Sequence, residues 1–123
     1  CEYEWAQHTV LARDAGLDVA DIERVASGPD AEGWSEPERA LVRAVDELVE
    51  GAGLSEVTWA SLNETLEVRQ LLDLVFTVGA YDTLAMAFRS FGVELDADLS
   101  GNELVVAMGS EPDVSPRSTG GPR

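Results

Sequence analysis

Lysine is missing from the 123 residues, and cysteine and histidine occur once each. Without an ε-amino group the chain has neither the nucleophile of Schiff-base catalysis nor the lysine of a phosphate-cradling P-loop. A single thiol cannot close a disulfide within the chain, which therefore reads as an intracellular, cytoplasmic protein with Cys1 reduced or paired to another molecule. Positive charge is scarce as well: 8 basic residues, all arginine, stand against 24 acidic ones, for a formal net charge of −16. Phosphate backbones are bound first through cations, so nucleic acid is not an expected partner. Neither an apolar run approaching the ~20 residues of a membrane helix nor a signal-peptide pattern nor a basic amphipathic stretch is evident, so a membrane is not expected either.

What is present is 45% hydrophobic residues, enough for one compact domain and too little length for two. The first residue is Cys rather than Met, and the residues after it already have the pattern of a helix interior, so a natural N-terminal region is expected upstream. A lipidated terminal Cys would lead into a flexible polar tether, and a Cys-first N-terminal nucleophile hydrolase would need strands. The amphipathic stretch Glu2–Arg13 fits neither.

Helical punctuation divides the rest. Residues 2–15 carry Tyr3, Trp5, His8, Val10, Leu11 and Ala12 without strict alternation, and Gly16 stops them. Asp18 caps a short helix over 19–27 in which Val19, Ile22, Val25 and Ala26 share a face. Ser35-Glu36-Pro37-Glu38 is a capping box with proline in the first turn, and the stripe Leu41, Val42, Val45, Leu48, Val49 follows until Gly51 and Gly53. Ser55 caps a helix containing Val57, Trp59 and Leu62, and Thr65 starts a long one reaching Phe91. On that helix Val68, Leu71, Leu72, Val75, Phe76 and Gly79 form one face, and Gly79-Ala80 lets another helix approach closely. A neighbouring subunit is the expected occupant. Leu104–Met108 is a last apolar stretch. No run pairs β-branched alternation with hairpin turns, so the expected class is all-α, with a helical domain over 1–109 and a disordered Ser/Pro/Gly-rich tail over 110–123.

Cys1, Glu4 and His8 are spaced so that on a helix their directions fall within about 60° of one another. Imidazole moves protons near neutral pH, a carboxylate fixes its tautomer, and a thiol beside imidazolium ionises more readily. The set is suited to proton transfer, although a hydrogen-bonded boundary histidine with a one-turn surface partner has the same spacing. Structural zinc calls for four ligands with paired Cys or His spacings that this sequence lacks, so no metal site is expected. The acidic groups Asp14, Asp18, Asp21 and Asp46, Glu47, Glu50 read as caps or solvated faces, Trp34 and Trp59 as core or interface anchors. Tyr81 and Asp82 interrupt the apolar face of the long helix, where a tyrosine hydroxyl most often bonds to a neighbouring helix.

The string Cys1-Glu2-Tyr3-Glu4-Trp5-Ala6-Gln7-His8, followed by Ala12-Arg13-Asp14-Ala15-Gly16-Leu17, resembles the carboxymuconolactone decarboxylase and alkylhydroperoxidase D-like superfamily. The helices Glu38-Arg39-Ala40 to Asp46-Glu47-Leu48 and Gln70-Leu71-Leu72-Asp73-Leu74 resemble it in order and spacing, over about residues 1–95. The resemblance implies an alkylhydroperoxidase D-like helical bundle that lacks its N-terminal helices here, and a homo-oligomer, trimer or hexamer, with small-molecule pockets near subunit contacts.

In the thiol-peroxidase branch of that superfamily the signature helix carries Cys-x-x-Cys-x-x-x-His, which would place Cys1 on the resolving Cys, His8 on the His and Glu4 on the attacking Cys. A carboxylate cannot form a sulfenic acid, so the two-thiol cycle is not available within this chain. The decarboxylase branch, which converts 4-carboxymuconolactone to an enol-lactone, implies a cofactor-free lyase: His8 as proton donor, Glu4 as its orienting partner, Cys1 lining the pocket, and Arg13, Arg69, Arg89 or an arginine of the upstream region meeting the substrate carboxylate. Peroxide reduction by Cys1 with an outside reductant, and a non-catalytic oligomerisation module, are the alternatives.

Overall fold

Four of the five helices among the described residues begin with a side-chain cap or a capping box; the first, which follows Cys1, has neither. Asp18 and Asp21 exchange bonds, Asp21 N–H to Asp18 Oδ1 at 2.8 Å and Asp18 N–H to Asp21 Oδ2 at 3.2 Å, and Glu38 accepts from the Ser35 amide and hydroxyl at 2.9 and 2.6 Å. The computed structural model describes residues 1–94 and arranges them as α1 (Glu2–Asp14), α2 (Val19–Ala26), α3 (Glu36–Gly51), α4 (Glu56–Asn63) and α5 (Val68–Phe91). No strand occurs among the described residues, and the class is all-α. The stretch Leu104–Met108, the domain limit at 109 and the tail over 110–123 lie outside them.

Two helix ends differ from the sequence reading. The long helix starts at Val68 rather than at Thr65, because the amides of Thr65 and Leu66 donate to the Leu62 carbonyl at 3.1 and 2.8 Å and prolong the turn that closes α4. Gln70 then reaches back to the Glu67 amide at 2.9 Å and opens α5. Its 24 residues span about 36 Å at 1.5 Å per residue. The end of α3 falls on neither expected glycine in the way a glycine stop would: Ala52 takes the left-handed conformation, at φ 55°, between them. Gly16 at φ 98° does stop α1, with its own amide and that of Leu17 donating to Arg13 and Ala12 carbonyls at 3.0 Å each.

The buried centre lies between α3, α4 and α5, where Ala40, Ala44, Leu62 and Leu71 meet with Leu54, Leu66 and Leu74 against them. Two of these four buried residues are alanines, so the helices approach closely while little apolar volume is enclosed. A smaller contact joins α1 to α2, and on these two helices Ala6, Thr9 and Ile22 are buried. The Thr9 hydroxyl is satisfied by the Ala6 carbonyl at 2.9 Å.

Aromatic side chains tie this pair to the rest: Tyr3 meets Phe88 edge-on with centroids 5.2 Å apart, and His8 meets Tyr81 at the same separation. Advancing along α1 thus means retreating along α5, and the two helices run antiparallel. Trp34 closes the 28–34 loop as an anchor, its indole N–H donating to the Gly28 carbonyl at 3.0 Å under the Arg24 guanidinium. Trp59, on α4, is about half exposed and is not part of the buried cluster among the described residues.

The expected single face of α5 divides in two. Leu71 is buried and Leu74 is half-buried, whereas Val68, Leu72, Val75 and Phe76 face outward. The apolar arc is wider than the contact that α3 and α4 make with it. Among the described residues α5 is also long and apolar enough, by length and composition, to cross a membrane. The sequence reading found no such run because Asp73 and Asp82 break it up.

Candidate functional site

The first turns of α1 bring Glu4 and His8 together, as one helical turn must for positions four apart. His8 Nδ1–H donates to the Glu4 backbone carbonyl at 2.8 Å, and the same nitrogen lies 3.3 Å from the Glu4 carboxylate. With Nδ1 carrying its proton into that bond, the neutral ring presents Nε2 as an acceptor, and the Tyr81 hydroxyl donates to it at 3.2 Å. The Glu4 side chain is 19% exposed and that of His8 45%. One edge of the imidazole is therefore fixed by its own helix, and the other is held by α5 within reach of a small molecule.

Cys1 stands one residue before α1, at its cap, half-buried. Its carbonyl accepts from the Trp5 amide at 3.0 Å and so begins the helical ladder. No hydrogen bond joins its sulfur to Glu4 or His8 among the described residues, so the structure brings together the acid and the imidazole and leaves the thiol beside them by helical position alone.

Of the three arginines considered for an anionic substrate, Arg89 comes to this end of the molecule. It follows Phe88, whose ring meets that of Tyr3 in the first turn of α1. The antiparallel run of α1 and α5 causes this placement: the last turn of α5 meets the first turn of α1. Arg13 lies in the last turn of α1 and Arg69 in the first turn of α5, both at the other end.

Tyr81 is the site residue that sequence reasoning did not assign. Its signal was visible, a hydroxyl interrupting an apolar face, but nothing local identifies a partner 73 positions away. A second polar cluster lies at an open depression of about 590 Å³ lined by Glu47, Glu50, Gly51, Gly53, Leu54 and Ser55. There Glu47 accepts from the Ser55 amide at 2.7 Å, the Ser55 hydroxyl at 2.9 Å and the Thr58 hydroxyl at 2.7 Å. These bonds hold Glu47 below the usual carboxylate range, the Ser55 amide contributing most. The carboxylate is committed to fastening the start of α4 onto α3. Among the described residues no three His, Cys, Asp or Glu side chains are grouped to hold a metal ion.

Compared with family models, with curated proteins and with solved structures, the chain matches none of them, so the candidate site stands on its own geometry.

Proposed function

We propose that the chain acts as a carboxymuconolactone decarboxylase-like enzyme that, without a cofactor, removes carbon dioxide from a small carboxylated lactone or a related acid. The C–C bond to the carboxylate breaks, its electron pair stays on the ring carbon, carbon dioxide leaves, and the imidazolium form of His8, which has taken a second proton from solvent at Nε2 in exchange for the Tyr81 bond, gives that proton to form the new C–H bond. Solvent then returns a proton to His8. Glu4 orients the imidazole, Arg89 meets the substrate carboxylate, and Cys1 lines the pocket. A homo-oligomer, trimer or hexamer, working in the cytoplasm belongs to the same proposal.

The observation that supports this reading is the asymmetry of His8: Nδ1 is anchored on Glu4 while Nε2 has one weakly held hydroxyl partner and an open approach. The test is carbon dioxide release from 4-carboxymuconolactone by the native chain, His8→Ala and Cys1→Ser, beside peroxide turnover with a dithiol reductant. Decarboxylation lost in His8→Ala and retained in Cys1→Ser supports the proposal. Peroxide turnover lost in both variants supports the thiol alternative instead.

One observation favours a second reading. The His8–Tyr81 pair, with Tyr3–Phe88, is what joins α1 to α5, and a histidine that only fastens two helices would explain its position without chemistry. On that reading His8→Ala lowers stability and the native chain turns over neither substrate.

A further inference from the structure

The outward side of α5 carries an uncharged stripe that no other element among the described residues covers. Val68, Leu72, Val75, Phe76, Gly79, Thr83, Met86 and Ser90 fall within about 100° of the helix circumference at 100° per residue. Val68, Leu72, Phe76 and Met86 are 67%, 53%, 73% and 59% exposed. No Cβ added at Gly79 would meet any atom. The charged residues of this helix, Arg69, Asp73, Asp82 and Arg89, all lie outside the arc.

The arrangement is balanced about one point. Gly79 is the midpoint of 68–90, and a copy of the helix laid antiparallel across it sets Gly79 against Gly79, Leu72 against Met86, and the Val75-Phe76 pair against Thr83. The two glycines allow the backbones to approach where they cross, and larger side chains fill the space on either side. Antiparallel alignment also opposes the two helix dipoles. With the exposures above, each copy leaves on the order of 500 Å² of apolar surface on this stripe, so two copies bury about 1,000 Å², the lower bound of a specific interface. A membrane-spanning helix would face lipid around its whole circumference, whereas here the rest of α5 carries charges or packs on α1, α3 and α4; a helix lying on a membrane surface would pair its apolar stripe with a basic face, whereas α5 carries as many aspartates as arginines.

We infer that this stripe is the contact surface for a second copy of the chain, packed antiparallel about a two-fold axis at Gly79. The inference rests on the assembly part of the proposal above and adds its surface and symmetry; it does not depend on decarboxylation.

Cysteine cross-linking of the full chain tests it. In a Cys1→Ser background, Gly79→Cys and Val68→Cys are each oxidised with diamide, which takes up the two electrons and two protons released as two thiols become one disulfide. The two-fold arrangement places position 79 opposite itself and position 68 opposite position 90, so Gly79→Cys gives a covalent dimer and Val68→Cys does not. Sedimentation of the native chain should show self-association, and Phe76→Glu should reduce it at least tenfold with the helical circular dichroism unchanged, while Arg69→Glu leaves it in place. A monomeric native chain overturns the inference and the assembly proposal together. Self-association that survives Phe76→Glu, or equal cross-linking at 68 and 79, overturns this surface and symmetry alone, and so does a native chain that sediments with phosphatidylcholine vesicles instead of with itself.

Discussion

The Tyr81 hydroxyl donates to Nε2 of His8 across 73 positions of sequence, and the two rings meet edge-on at 84°. The bond joins the first helix to the middle of the last and occupies the imidazole nitrogen that the proposed chemistry uses. Tyr81→Phe keeps the ring contact and removes the bond, so stability should fall by about 1 kcal/mol or less. Tyr81→Ala removes both and should cost more. Urea midpoints at constant slope measure the two costs, and equal losses in the two variants would show that the ring contributes nothing.

The closing turn of α3 is strained at a correctable position. Ala52 at φ 55° occupies a region that disfavours a Cβ, with glycines on both sides that do not use it. Ala52→Gly should therefore stabilise the chain by about 0.5–1 kcal/mol, read as a raised thermal midpoint. A lowered midpoint would mean that added freedom in the unfolded chain outweighs the relief.

Leu62 is the largest side chain fully enclosed in the described residues. Leu62→Ala should cost about 2–5 kcal/mol in urea unfolding. Val57→Ala, on the outer side of the same helix, should stay within about 0.5 kcal/mol.

The Glu47 fastening makes a pH-dependent contribution. Its carboxyl is held below the ordinary 4.5 by the Ser55 amide first and the Thr58 hydroxyl next, so the folded state releases this proton more readily than the unfolded state does. The stabilisation is complete above the unfolded value near 4.5 and is lost as pH falls through the lower folded value. The thermal midpoint of native chain minus that of Glu47→Gln should be positive at pH 7 and should shrink on acidification below 4.5. A difference independent of pH would separate the fastening from the charge.

What the sequence disclosed and withheld follows from the range of each interaction. The Asp18 cap, the Ser35–Glu38 capping box and the Glu4–His8 pair are legible because their partners lie within one turn, whereas the return bond from the Asp18 amide to Asp21 emerges only in the structure. The start of α5 lies three residues beyond the expected Thr65: by residue type Thr65 is the better cap, and Glu67 serves only through its capping box with Gln70. Only the Gln70 bond and the demands of the Leu62 carbonyl decide between them. Tyr81 as the partner of His8, Arg89 rather than Arg13 or Arg69 near Cys1, and the division of the α5 face all depend on how α1 and α5 meet, which no local spacing encodes.

The most direct test of the proposed chemistry is the steady-state release of carbon dioxide from 4-carboxymuconolactone by the native chain, Cys1→Ser and His8→Ala. Turnover by the native chain, retained in Cys1→Ser and reduced by about 10²–10⁴-fold in a folded His8→Ala, is the predicted result for general acid catalysis through the imidazole. No turnover by the native chain, or turnover that persists undiminished without the His8 ring, would contradict it.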